Sequence, residues 1–250
     1  MLDNLKIVFH QGKQYIPNPT TVEVPGIFRG RPIISLEKVN ETELVELCPT
    51  DAISSNPISI NLGKCTFCGE CAMRFPDKII FTKDYKIASN ELDRLIIKAG
   101  ENIPVEVNPD TVRKEIHRVF GKSIKLRQIS AGGDNSCEME LNAANNVQFD
   151  ISRYGIDFVA SPRHADGIVI TGPITKNMAE AIQICYDAVP EPKIIVLVGT
   201  DAISGGIFAD SPALDRSFLD KYYVDLYIPG NPAHPLSIIN GLLDLTRKHK

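Results

Sequence analysis

The residues with the most chemistry to offer are the six cysteines. Four crowd together: Cys48 stands before Pro49, and Cys65, Cys68 and Cys71 form C-x2-C-x2-C. Cys137 and Cys185 lie far from these and from each other. Thiolates are soft ligands, suited to iron–sulfur clusters or to zinc. In an intracellular chain such tight spacing reads as metal binding rather than as a disulfide framework. Three cysteines at two-residue gaps, joined by a remote Cys-Pro, favour an iron–sulfur site over a zinc ribbon. A zinc knuckle and a cluster that only stabilises the fold are the alternatives. The five histidines, at positions 10, 117, 164, 234 and 249, show no paired metal spacing. No acid–base or nucleophile constellation accompanies the cysteines, so any catalysis is expected in a partner chain.

Those ligands must be positioned by a chain of 250 residues, room for one large domain or two modest ones. Hydrophobic residues make up 43% and charged residues 23%, the profile of a globular protein rather than a disordered or fibrous one. The longest apolar runs, such as Ile194 to Val198, fall far short of the roughly 18 residues that cross a bilayer. The first residues lack the layout of a signal peptide. A cytoplasmic protein is expected, held at the cytoplasmic face of a membrane only through other subunits. The net charge is −4, with no long basic block, so nucleic acid is not an expected partner.

The chain divides near residues 90–110, giving an expected module over 1–100 and a larger domain over 101–250. The first part is broken by Pro and Gly, from Pro17 to Pro76, and carries short strand-like stretches at 57–60 and 79–81. It has too few large apolar residues for a strong core, a shortage that a bound cluster would relieve. Asn108 as N-cap, Pro109 at the first position and the repeat of Val112, Ile116, Val119 and Phe120 predict a connecting helix over 108–121. Beyond it, strands are predicted at 125–131, 156–160, 167–171, 193–199 and 225–229, and helices at 137–146, 176–188 and 234–247. Ile- and Val-rich strands alternating with helices predict a parallel sheet covered on both faces. Gly- and Asx-rich loops follow three of these strands, at 131–137, 199–206 and 229–232. Such loops gather at one crevice, the default ligand site of an open α/β sheet. They fit neither G-x-G-x-x-G nor a P-loop.

The cysteine segment also contains a short internal repeat, in which Cys48-Pro49 aligns with Phe75-Pro76. It resembles the bacterial ferredoxins, built from two copies of C-x2-C-x2-C-x3-C-P whose last Cys ligates the other copy's cluster. Under that crossed rule one cluster needs Cys48, Cys65, Cys68 and Cys71, all present. The other needs positions 38, 41, 44 and 75, which are Lys38, Glu41, Leu44 and Phe75. The resemblance implies one 4Fe–4S cluster, whose iron is held by the four cysteines, and one abolished site.

The larger domain resembles a second family. Ser161-Pro162-Arg163-His164-Ala165-Asp166, Thr171-Gly172-Pro173-Ile174-Thr175, Pro190-Glu191-Pro192-Lys193, Ser204-Gly205-Gly206-Ile207-Phe208 and Tyr227-Ile228-Pro229-Gly230 are similar to the 20 kDa iron–sulfur subunit of complex I. That family includes the small subunits of energy-converting nickel–iron hydrogenases and formate hydrogenlyase. The likeness covers about residues 125–245, and Ser136-Cys137-Glu138-Met139-Glu140 leans toward the hydrogenase branch. It implies a flavodoxin-like open parallel sheet, preceded here by a small α+β ferredoxin-like iron–sulfur module. It also implies a large hydrogenase-like or complex I-like partner subunit, with a 4Fe–4S cluster at the shared interface and further subunits around the pair. Of the four family ligands only Cys137 remains. Asp134 (or Ser136 in the complex I variant), Asp201 and Asn231 stand at the other positions, so a vacated cluster site is expected. Polar residues filling it with water and hydrogen bonds, an unusual metal bound there, and a residual cluster completed by some other ligand are the three readings of that crevice. The expected role is an electron-transfer subunit of an oxidoreductase complex, with a non-redox assembly subunit as the alternative. The resemblance implies that Arg163 and His164 meet a partner or a quinone-like pocket, with turn stabilisation as the alternative. Glu140 is read as an interface glutamate or an exposed helix carboxylate, and Cys185 as core.

Overall fold

The computed structural model describes residues 2–12 and 14–247, so the last of the five histidines lies outside the described residues. In chain order its first elements are α1 (Leu2–Gln11), β1 (Pro32–Ile34), α2 (Glu41–Glu46), β2 (Ile53–Ser54), β3 (Ser59–Asn61), α3 (Glu70–Arg74), β4 (Ile79–Phe81) and β5 (Ile96–Lys98). Then come α4 (Lys114–Phe120), β6 (Ile124–Ser130), α5 (Ser136–Ala144), β7 (Ile156–Phe158), β8 (Gly167–Thr171) and α6 (Lys176–Ala188). The last are β9 (Ile194–Val198), α7 (Thr200–Ser204), α8 (Ser217–Lys221), β10 (Leu226–Ile228) and α9 (Pro235–Thr246).

Every residue of β8 and of β9 is buried, which a strand achieves only when both faces of its sheet are covered. Alternation divides them between two cores. Val169, Ile194, Val196 and Val198 join Ile116 and Phe120 of α4, Leu141 of α5 and Ile238, Ile239 and Leu242 of α9. Ile168, Ile170, Ile195 and Leu197 join Ile182 of α6, Ala202 of α7 and Phe218 of α8. The five strands pair in parallel in the order β10-β9-β8-β6-β7. Counted within the sheet this is 2-1-3-4-5, the flavodoxin-like order, with its switch point between β6 and β8. The loops leaving those two strands therefore diverge and open a crevice. The predicted strands agree with the observed ones to within two residues at each end.

The connecting helix is shorter than expected. Only Lys114–Phe120 is helical, because Asn108 is engaged elsewhere. Its amide donates to Asn90 Oδ1 at 2.7 Å, and its own Oδ1 accepts from the Asp110 amide at 3.2 Å, which closes a turn where the first helical turn was expected.

Before the sheet, β1 pairs antiparallel with β4, and β2-β3-β5 form a three-stranded antiparallel sheet. Helix α2 joins β1 to β2 and α3 joins β3 to β4, so a strand–helix–strand unit occurs twice. The expected shortage of apolar residues is corrected here. Ile34, Leu44, Ile58, Ile60, Leu62 and Ile79 gather with Leu95, Ile97 and Val105 in a core of their own. Leu95, Ile97 and Val105 come from β5 and its flanks, a strand the sequence pattern does not announce. The chain then crosses between the cores. Ser89 bridges Tyr227 beside β10, with amide-to-carbonyl bonds of 3.0 and 2.8 Å in the two directions. Tyr85 Oη and Asn240 Nδ2 both donate to the Pro19 carbonyl at 2.9 Å.

Because β8 is covered on both faces, Ile170→Ala should cost about 2–5 kcal/mol of unfolding free energy. Ile184→Ala, at an α6 position 63% exposed, should cost less than about 0.5 kcal/mol. Urea unfolding followed by circular dichroism measures both.

Candidate iron–sulfur site and crevice

Cys48 follows the end of α2, whose N-cap Asn40 accepts from the Glu43 amide. Cys65 follows a turn closed by bonds from the Lys64 and Cys65 amides to the Asn61 carbonyl, at 3.1 and 3.0 Å. Cys68 precedes Gly69, whose φ of +85° turns the chain into α3, and Cys71 lies in α3. These four residues line one pocket together with Ile53, Ile60 and Phe81. Two sulfurs already accept backbone hydrogen bonds: Cys48 Sγ from the Ala52 amide and Cys65 Sγ from the Phe67 amide, each at 3.3 Å. Asp51 and Phe67 adopt positive φ, 50° and 54°, where the chain wraps around these sulfurs.

Burial pushes the Cys65 thiol up to about 12 and the Cys71 thiol up to about 11, and the neighbouring cysteines add to both. Without a metal these thiols are neutral. A metal that takes thiolates would reverse that preference, since its ligands must be deprotonated. The donor set thus fits a 4Fe–4S cluster: four thiols around one apolar pocket, with amides aimed at the sulfurs. The positions a second cluster would need do not fit. Leu44 and Phe75 pack into the module's core, while Lys38 and Glu41 are exposed.

The crevice over the sheet is a different environment. Asp134 accepts from the Ser136 amide at 2.9 Å and from the Ser136 hydroxyl at 2.6 Å, which holds its carboxyl below the usual range. Cys137, in the first turn of α5, is buried against Gly199; a side chain on Gly199, whose φ is +94°, would collide with its sulfur. Burial raises the Cys137 thiol to about 12, with Glu138, Asp201 and Asp134 adding their negative charge. Asp201 is raised by burial and by Asp134, with Arg216 opposing, and its buried Oδ1 has no hydrogen-bond partner among the described residues. Asn231 is half-buried in the Pro229–Pro232 turn, which has a cis Asn231-Pro232 bond. One thiol, two carboxyls and an amide do not fit a 4Fe–4S cluster. Among the described residues, no group of three or more His, Cys, Asp and Glu, the four cysteines of the module included, is arranged to hold a single metal ion. A cluster spreads its thiolates over several irons and asks for a wider cage than one ion does. The crevice, with a single thiol, offers neither arrangement.

Sequence reasoning missed two groups here. Glu138 is buried and accepts from the Thr171 hydroxyl at 2.7 Å, linking the first turn of α5 to the end of β8. Arg216 donates to the carbonyls of Pro173 at 3.0 Å, Asp201 at 3.2 Å, and Ala202 and Ile203 at 2.8 Å each. It ties the loop after β8 to α7, and no spacing in the sequence signals it. Other expected residues lie off the crevice. Arg163 and His164 are exposed on a turn between β7 and β8. Glu140 is half-buried, and burial raises its carboxyl. Cys185 is half-buried at the margin of its core rather than inside it, because α6 presents Ile182 inward and Cys185 toward its flank.

The cysteine loop rests directly on the crevice loops. The Thr200 hydroxyl donates to the Cys65 carbonyl at 2.7 Å, and the Thr200 amide donates to the Gly230 carbonyl at 2.9 Å. In the iron-free chain near neutral pH, iodoacetamide should modify exposed Cys68 first and buried Cys65 and Cys137 last, as peptide mass spectrometry would record. The raised thiols also predict a pH effect. Cys65 and Cys137 ionise near 12 in the folded chain rather than at 9, so they favour the folded iron-free chain below pH 9. That contribution is lost as pH rises from about 9 to about 12, which melting temperatures measured across this range would show.

The family profile described as "NADH ubiquinone oxidoreductase, 20 Kd subunit" matches residues 135–245. A relative named as a probable membrane-bound hydrogenase subunit of Pyrococcus furiosus is 32% identical over 129 residues, 52% of this chain and 77% of its own length. An uncharacterized protein of Methanocaldococcus jannaschii is 40% identical over 136 residues, 54% of this chain and 89% of its own. A subunit of the NADH-quinone oxidoreductase of Clostridium beijerinckii is 44% identical over 117 residues, 45% of this chain and 67% of its own. All these alignments leave about half of this chain unmatched. With the parallel sheet in place, they show that the chain belongs to the family of the complex I 20 kDa subunit and the nickel–iron hydrogenase small subunits.

Proposed function

We propose that this chain is an electron-transfer subunit of a hydrogenase- or complex I-related oxidoreductase complex. It holds one 4Fe–4S cluster through Cys48, Cys65, Cys68 and Cys71, while the family's cluster site in the larger domain has been lost. The observation that carries this reading is the pocket lined by all four cysteines, with backbone amides on two of their sulfurs. A 4Fe–4S cluster supplies one-electron redox chemistry when bound. The chain's own residues line the pocket with Ile53, Ile60 and Phe81, leave Cys68 toward solvent, and donate hydrogen bonds that stabilise thiolate charge at Cys48 and Cys65.

The crevice serves as the face for a large hydrogenase-like or complex I-like subunit. Met139, 63% exposed, lies in α5 with Cys137, and Ile207, 61%, and Phe208, 44%, directly follow Gly206, which packs against Asp201. Exposed apolar side chains beside a recessed polar floor are the usual make-up of an interface. Asp134, Cys137, Asp201 and Asn231 remain as packing and hydrogen-bonding residues of that floor. Among the described residues, no helix is long and apolar enough to cross a membrane. Membrane association is accordingly assigned to partner subunits, with this chain peripheral on the cytoplasmic face.

The chain purified under nitrogen should carry about four irons, the content of one cluster. Its spectrum should bleach with dithionite and recover when the partner complex is added. Cys48→Ala with Cys65→Ala should abolish both iron and bleaching; a retained, reducible cluster in that double variant sinks the ligand assignment. About eight irons would restore a second cluster to the crevice. A cluster that is reduced but never re-oxidised by the complex would support the non-redox assembly role. For the interface, a charge at Gly206 is a poor probe, since its φ is +55° and any side chain would strike Asp201. Ile207→Glu, on an exposed position, should instead abolish co-purification with the large subunit at an unchanged melting temperature.

A further inference from the structure

A second cavity, of about 320 Å³, lies between the cysteine loop and the Pro229–Pro232 turn. That is within the range of small-molecule sites, roughly 300–1,000 Å³. Phe28, Phe67, Ile87 and Pro229 supply apolar walls, and the Phe67 amide is the one that donates to Cys65 Sγ. The polar groups are Arg29, Asn231, His234 and Ser237. Among the described residues, no Asp or Glu lines the cavity, although the whole chain has a net charge of −4.

These groups are biased toward donation. Ser237 is 1% exposed and lines the cavity, yet its hydroxyl has no hydrogen-bond partner among the described residues. A buried hydroxyl left in that state is costly, and a ligand oxygen would relieve it. Ser237 stands in the first turn of α9, a twelve-residue helix, where the partial positive charge of the helix end favours an anion. His234 caps that turn: its Nδ1 accepts from the Leu236 amide at 3.2 Å, so the neutral ring carries its proton on Nε2. Phe28 and Phe149 hold the ring edge-on, at centroid distances of 5.2 and 5.8 Å. Arg29 donates through Nε to the Phe67 carbonyl at 2.6 Å, which pins its guanidinium beside the opening.

We propose that this cavity binds a small organic carboxylate with an apolar body. The carboxylate meets the Ser237 hydroxyl and the first turn of α9, the body lies against Phe28, Phe67 and Ile87, and the Arg29 charge draws the anion in. The Ser237 hydroxyl separates this from a bare helix end, and the apolar walls separate it from a site for inorganic phosphate. The site stands whether or not the cysteines carry a cluster.

Benzoate and its neutral counterpart benzamide are the probes, titrated calorimetrically into the full chain as purified. Benzoate should bind saturably and benzamide about tenfold more weakly, because a hydrogen bond to a charged group is the stronger one. Ser237→Ala should weaken benzoate about fivefold at an unchanged melting temperature. Absence of saturable heat, equal affinity for benzamide, or wild-type benzoate affinity in Ser237→Ala overturns the proposal. If Ser237→Ala does not fold, the benzoate-to-benzamide comparison on the native chain decides it alone.

Discussion

The constraint on which the rest depends is the complete burial of β8 and β9. A strand apolar on both faces has to be covered twice, so α4, α5 and α9 must lie on one side and α6 and α8 on the other. With β6 placed between β7 and β8, chains leaving β6 and β8 turn to opposite faces, and the crevice opens where they part. Nothing in the crevice needs a metal for this to happen. The geometry follows from strand order and from the apolar ladder beneath it.

The floor itself is built from charge held in place. Asp134 is satisfied locally by Ser136, whereas Asp201 is desolvated with one oxygen unpaired, and Arg216 spends its donors on four carbonyls rather than on that oxygen. Burial and the negative charge of exposed Asp134 both raise the Asp201 carboxyl, whereas the Ser136 hydrogen bonds hold that of Asp134 down. Glu138 and Thr171 join the first turn of α5 to the end of β8, across the point where the two chain paths diverge. The result is a polar crevice whose walls are tied together by side-chain hydrogen bonds.

The cysteine module meets this crevice through backbone contacts. Thr200 hydrogen-bonds to both Cys65 and Gly230, so the loop carrying the first of the three clustered cysteines and the turn carrying Asn231 share one anchor. The two cores are further interleaved by Ser89 against Tyr227 and by Pro19 between Tyr85 and Asn240. Any movement of the module would therefore have to break buried polar bonds as well as apolar contacts, and such bonds are expensive to leave unmade.

The type and order of the sheet's elements, and the identity of the candidate thiol ligands, are legible in the unfolded string of residues. Local patterns carry that information: Ile and Val runs such as 194–198 write a doubly buried strand, and two-residue gaps write a ligand loop. Other features arise only in the folded chain. Asn108 gives up a helix start because Asn90, distant in sequence, takes its amide, and β5 exists because β3 offers it an edge. Arg216 and Glu138 acquire roles only after β6, β8 and β9 bring their loops within hydrogen-bond reach. Ser237 looks like an ordinary helix residue until the turn before α9 and the loop around Phe67 close over it. Periodicity and spacing record what a segment does with its neighbours along the chain; a hydrogen bond such as that from Thr200 to Cys65 depends on a fold that no short window contains.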